Sequence, residues 1–98
     1  MELDRIFDAL ASAPRRRMLA FLSQTALTTS DLAARFPMSA PAVSRHLSVL
    51  QHAGLVESER QGQRVLYRLK RDTLLNALAR LASEVDGPLR RDPPREAI

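Results

Sequence analysis

The feature that most constrains this chain is a change of period at Gly54. From Ser39 to Val56 the sequence reads SAPAVSRHLSVLQHAGLV. Before the glycine, Val43, Leu47 and Leu50 recur at i, i+4 and i+7, on one side of a 3.6-residue helix. A turn of about 100° per residue sends Pro41, Ser44, Arg45, Ser48 and His52 to the opposite side. Ser39 suits the N-cap, where its hydroxyl can accept a first-turn N–H that has no helical partner. Pro41 is tolerated close to that end for the same reason, and Gly54 suits the left-handed position past the last turn. The spacing predicts a short helix with a packed side and an outer side of small polar residues plus one arginine. Such a face can approach the base edges of a DNA major groove, where bulky residues would hold the backbone away. Any surface helix is amphipathic, however, so the flanking segments decide the reading.

After Gly54 the apolar residues alternate. Leu55-Val56-Glu57-Ser58-Glu59-Arg60 and Arg64-Val65-Leu66-Tyr67-Arg68-Leu69 are strand-like runs around Gln61-Gly62-Gln63, which predicts a hairpin. Val65, Tyr67 and Leu69 fall on its inner face, and Arg64, Leu66 and Arg68 on the other. Upstream, Leu3, Ile6, Phe7 and Leu10 form one helical stripe, which Ser12-Ala13-Pro14 interrupts. A second helix carries Met18, Leu19, Phe21 and Leu22. Leu27-Thr28 is an extended link, and Thr29 is expected to cap a third short helix with Leu32, Ala33 and Phe36 inward. Pro37-Met38 then turns the chain tightly into the Ser39 helix, as in a helix-turn-helix. Asp72 is expected to cap a last helix whose Leu74, Leu75, Leu78, Leu81, Ala82 and Val85 form a wide apolar face, ended by Gly87-Pro88. The fold class that follows is mainly α: a winged helix-turn-helix of four helices, a two-stranded wing and a C-terminal helix. Residues 1–86 are expected to form this one DNA-binding and dimerisation domain. Residues 87–98, with Pro93-Pro94 and balanced charges, form a flexible tail too polar to order itself.

A chain of 98 residues lies near the lower limit for an unaided core, and association with a second copy is a common remedy. The last helix carries more apolar surface than so small a core can cover, which makes Leu74, Leu78, Leu81 and Val85 the candidate homodimer surface. There is no cysteine, hence no disulfide, thiolate ligand or thiol switch, and a reducing compartment is suitable. The start Met-Glu-Leu-Asp lacks the basic and apolar regions of a secretion signal. No apolar run approaches membrane-spanning length. A cytoplasmic location and no membrane partner are expected. The net charge is +4, which suits a polyanion. Between Val56 and Arg71 five basic residues (Arg60, Arg64, Arg68, Lys70, Arg71) face two acidic ones (Glu57, Glu59). Arg15, Arg16 and Arg17 form a second cluster, able to contact a DNA backbone or pair with acids. No glycine-rich phosphate loop, nucleophile elbow or set carboxylate pair is present, so no enzyme is expected. His46 and His52, six residues apart without acidic or thiol neighbours, make a poor metal pair. His46 borders the packed stripe and is expected to be structural. Neither metal nor cofactor is expected.

Three stretches together resemble the ArsR-type family of dimeric bacterial repressors: DALASAPRRRMLAFL, TTSDLAARFPMSAPAVSRHLSVLQHAGLVE and RQGQRVLYRL. The likeness runs over about residues 3–83 and is most specific in Ser44-Arg45-His46-Leu47 and Ala53-Gly54-Leu55-Val56. It is strongest toward the short, metal-free, SdpR-like autorepressors. The resemblance implies that Ser39, Ala40, Pro41, Ser44 and Arg45 face the groove, that Gln63 and Arg64 lie at the wing, and that the first and last helices form the dimer. Leu3 and Phe7 thereby join the interface set, and Ser48 completes the groove face. Arg15 matches the family's arginine, which implies a structural role for it. Many relatives sense metals or oxidants through cysteines of the third helix, or through histidines and carboxylates of the last. Thr29-Ser30-Asp31-Leu32-Ala33 offers no thiol, and the last helix has no histidine. Ala40 and Pro41 stand where many relatives carry hydrogen-bonding side chains, which shifts weight toward operator shape. The function expected is a homodimeric, autoregulatory repressor on an inverted-repeat DNA operator, not a cysteine-based metal sensor. The alternative is a winged-helix protein-interaction module that no longer binds DNA.

Overall fold

The computed structural model describes residues 3–86; the expected tail and the Gly87-Pro88 stop lie outside them. The order is α1 (Leu3–Leu10), α2 (Ala13–Leu22), α3 (Thr29–Ala33), α4 (Ala40–His52), β1 (Val56–Gln61), β2 (Arg64–Leu69) and α5 (Arg71–Asp86). This is the winged helix-turn-helix order that the sequence predicts.

The helix ends follow from side chains that supply missing backbone partners. Ser12 caps α2, its Oγ accepting from the Arg15 N–H, with Pro14 in the first turn. Ser39 caps α4 by accepting from the Ala42 N–H at 3.2 Å. At the other end of α4, Leu55 N–H donates to the Leu50 carbonyl and Gly54 N–H to the Gln51 carbonyl, both at 2.9 Å. That paired closure requires a left-handed residue, and Gly54 supplies it with φ +79. The chain therefore leaves the helix at once into β1.

Two expected caps are displaced. Thr28, not Thr29, caps α3: its Oγ1 accepts from Asp31 N–H at 3.0 Å, and Asp31 Oδ2 accepts from Thr28 N–H at 3.1 Å. A reciprocal capping box needs three-residue spacing, and only Thr28 stands three before Asp31. Asp72 lies inside the first turn of α5. Lys70 is already pinned, its N–H to the Leu55 carbonyl at 2.8 Å, so the helix starts directly behind it.

The core is fully apolar. Ile6 and Ala9 from α1, Met18, Leu19 and Leu22 from α2, Leu32 from α3 and Val43, Leu47 and Leu50 from α4 are buried together with Leu55, Val56 and Ala77. The two strands pair antiparallel from Val56↔Leu69 to Gln61↔Arg64. The hairpin turn is thus tighter than the expected three residues: only Gly62 and Gln63 lie between the strands, with Gly62 at φ +64. Leu27 exchanges backbone hydrogen bonds with Tyr67, at 2.8 and 3.1 Å. This bridge ties the base of the wing to the loop before α3, so wing and helix pair share one frame. Tyr67 and Leu69 pack against the core as expected.

The last helix divides its apolar face. Ala77 is buried and Leu74 is half-buried against the core. Leu75, Leu78, Leu81 and Val85 remain between 42% and 62% exposed.

Candidate nucleic-acid interface

The outer side of α4 is open. Ser39, Ala40, Pro41, Ser44, Arg45 and Ser48 are all exposed, and His52 as well. Among the described residues, Arg45 has no hydrogen-bond or ion-pair partner. The structure adds one residue to this side. Val49 is 40% exposed and lies about 40° round the axis from Arg45. The helical spacing carries that signal, but an apolar residue invites an inward assignment.

The wing stands beside α3 and presents its own cations. Arg68 is neutralised: its Nε and Nη2 both donate to Glu59 Oε1 on the facing strand, at 3.2 and 3.0 Å. Arg60 has no partner among the described residues. Arg64 reaches Asp31 only at 3.9 Å, with both side chains largely exposed, a pair of little energetic weight. Thr28, Thr29, Ser30 and Asp31 on one side and Gln63, Arg64 and Val65 on the other line a polar cleft of about 460 Å³. The Asp31 carboxyl is held below the usual carboxylate range, chiefly by the Thr28 backbone and hydroxyl hydrogen bonds, with Arg64 and Arg35 contributing less.

The arginine cluster of α2 engages the fold rather than acidic partners: Arg15 takes a structural place, as the resemblance implies, while Arg16 and Arg17 stay exposed. Arg15 donates to the Ala9 and Asp8 carbonyls, and Arg16 to the Leu10 carbonyl at 2.6 Å. These close the free carbonyl end of α1. Arg17 lies over the Phe36 ring, which itself meets Phe21 edge-on at 5.7 Å. The physical cause is local: only Ala11 and Ser12 separate α1 from α2, leaving the carbonyls of α1 within reach of the next helix. Among the described residues, Arg45 and Arg60 are unpaired and Arg64 is loosely held, while Arg5 and Lys70 line a cleft with Gln51 and His52 at the end of α4.

Of the expected interface set, Leu3 and Phe7 are half-buried on α1, and Leu74 is half-buried on α5. Leu78, Leu81 and Val85 are exposed along α5. A groove of about 370 Å³, walled mainly by Leu10, Leu19, Leu69, Leu74 and Leu78, continues that apolar surface. Among the described residues no group of three or more His, Cys, Asp or Glu is gathered where it can hold a metal. No helix among them is long and apolar enough to cross a membrane.

A sequence profile for bacterial regulatory proteins of the arsR family matches residues 13–58, from the start of α2 into the wing. The transcriptional repressor SdpR of Bacillus subtilis is 30% identical over 76 residues, covering 78% of this chain and 84% of that protein. The chain belongs to the ArsR family. An ArsR-like transcriptional regulator from Rhodococcus sp. RHA1 superposes with a TM-score of 0.81 at 34% identity, covering 91% of this chain and 83% of that one. A homodimeric winged helix-turn-helix DNA-binding domain from Mycobacterium bovis, a possible ArsR-family regulator, superposes with a TM-score of 0.70 at 27% identity, over 87% of this chain and 80% of that one. ArsR membership agrees with the transcription-regulator reading and with a protein that is not an enzyme.

Proposed function

We propose that this chain is a cytoplasmic homodimeric repressor that binds an inverted-repeat operator near its own promoter and needs no metal. The observation that carries this reading is the open outer face of α4, with Arg45 unpaired among the described residues, set in one frame with a wing bearing Arg60 and the loosely held Arg64. Ser39, Ala40, Pro41, Ser44, Arg45 and Ser48 enter the major groove, and Arg45 is the residue suited to grip a guanine edge in bidentate fashion. Gln63 and Arg64 hold the adjoining backbone or minor groove from the wing. Residues 1–86 form the functional unit, with 87–98 as its tail. Leu3 and Phe7 of α1 join Leu74, Leu78, Leu81 and Val85 of α5 in the subunit interface, supported by the exposed apolar row. The homodimeric state of the M. bovis domain supports homodimerisation of this chain.

Repression is supported by the likeness to the transcriptional repressor SdpR, and the absence of metal sensing by the lack of cysteine and by the scattered histidines. The test is a gel shift of a duplex from the region upstream of the protein's own coding sequence, against a scrambled duplex. The upstream duplex is expected to shift selectively and equally with EDTA or with micromolar zinc. Zinc-dependent release with about one metal per chain would overturn the metal-free assignment. Equal shifts of both duplexes would overturn autoregulation, and no shift of either would favour the protein-interaction module.

A further inference from the structure

One guanidinium joins three helices behind the outer face of α4. Arg15, in the first turn of α2, donates from Nε to the Ala9 carbonyl at 2.7 Å and from Nη2 to the Asp8 carbonyl at 3.2 Å, both at the end of α1. Its Nη1 lies 3.3 Å from Nδ1 of His46 on α4. Arginine carries donors only, so this contact is a hydrogen bond only while Nδ1 keeps its lone pair. In that arrangement the ring is neutral, with its proton on Nε2. Burial first, and then the charges of Arg15 and Arg45, hold the His46 pKa below the ordinary histidine value. The charged groups that act on the ring are Arg15 from α2 and Arg45 from α4 itself. From α1 the pair meets the Ala9 and Asp8 backbone carbonyls. A proton on Nδ1 would face a guanidinium, breaking the bond and opposing like charges.

His46 flanks the buried Val43, Leu47 and Leu50 stripe and directly follows Arg45. Apolar contacts are non-directional; a hydrogen bond on the flank of a helix fixes its rotation about its own axis far more narrowly. The rotation of α4 decides where Arg45, Ser44 and Ser48 point.

We propose that Arg15 and His46 are positioning residues for DNA recognition, a strut that ties the angular setting of the groove helix to α1, so that operator discrimination requires a neutral His46. The inference rests on the DNA-binding reading of α4. Because α1 also carries Leu3 and Phe7 of the proposed interface, the strut links the subunit contact to the groove helix through one side chain.

The test starts by selecting a preferred duplex from a random pool with the wild-type protein. Affinity for that duplex and for a scrambled one is then measured for wild type, Arg15→Lys, His46→Leu and His46→Asn, across a pH series. Arg15→Lys keeps the charge but loses the fork, and His46→Leu removes the acceptor. Each is expected to lower the ratio of selected to scrambled affinity by about tenfold, the effect of removing one charge-assisted hydrogen bond. His46→Asn, whose side-chain oxygen can stand in for Nδ1, is expected to recover most of that ratio. In wild type the ratio should fall as pH drops from about 7.5 to about 5, because protonation removes the acceptor; in His46→Asn it should stay flat. Using the ratio cancels any general electrostatic gain in DNA affinity at low pH. A purely structural role would lower both affinities in parallel with the folded fraction, leave the ratio constant and give no rescue by asparagine. That outcome, or a pH-independent wild-type ratio, overturns the strut. Should Arg15→Lys or His46→Leu fail to fold, the wild-type and His46→Asn pH profiles decide alone. Failure of the pool to yield any preferred duplex instead defeats the DNA-binding reading itself.

Discussion

Leu78→Asp is expected to convert the dimer to a folded monomer and to lower operator affinity by about 10²-fold or more, the usual return of joining two binding modules. Leu78 is 44% exposed in the protomer, so its replacement leaves the buried core largely intact. In the proposed dimer the same position would be covered by a second copy. Burying a leucine there contributes about 1.5–3 kcal/mol, whereas an unpaired carboxylate would have to be desolvated against apolar side chains. Sedimentation and far-UV circular dichroism together check this outcome. A monomer with unchanged helicity and weakened operator binding supports the interface. An unchanged dimer would move the interface away from α5.

Arg45→Ala and Arg64→Ala are expected to fail in different ways. Arg45 projects without a partner from the groove face, and its removal should cost about 1–3 kcal/mol on the operator and little on scrambled DNA. Arg64 flanks the wing turn and is held by Asp31 only at 3.9 Å, so it is free to neutralise a phosphate. Its removal should weaken all duplexes alike and flatten the log–log salt slope by about 0.9 for each phosphate no longer neutralised. Affinities for operator and scrambled duplex over a salt series separate the two. If Arg45→Ala weakens both duplexes equally and changes only the salt slope, Arg45 binds the DNA backbone. Base choice then passes to Ser44, Ser48, Val49 or operator shape.

Most of this architecture is legible in the residues because its punctuation is local. Ser39, Gly54 and Gly62 each satisfy a backbone need within a few positions, and the shift from a 3.6 to a 2.0 period marks where helix gives way to wing. What the residues alone do not disclose depends on distance or on choice between neighbours. Thr28 and Thr29 are chemically equivalent caps until the Asp31 partner selects one. The role of Arg15 needs α1 and α4 to be brought together, 31 residues separating it from His46. The neutralisation of Arg68 by Glu59 depends on strand register. For that reason a basic count over the wing overstates the free charge, which reduces to Arg60 and Arg64 on the two strands. The exposure of Val49 is implicit in the helical spacing and is masked only by its apolar character. Periodicity also assigns α5 one wide apolar face, whereas packing splits it between the core and an exposed row, a division that follows from the tertiary position of α1.

The central claim is that two copies of α4 enter successive major grooves of one duplex, related by a two-fold axis. Hydroxyl-radical footprinting of the wild-type protein on its selected duplex tests it most directly. The prediction is two protected half-sites of inverted sequence, centred about 10 base pairs, one helical turn, apart. Protection of a single half-site, or uniform protection of any duplex without symmetry, would contradict it.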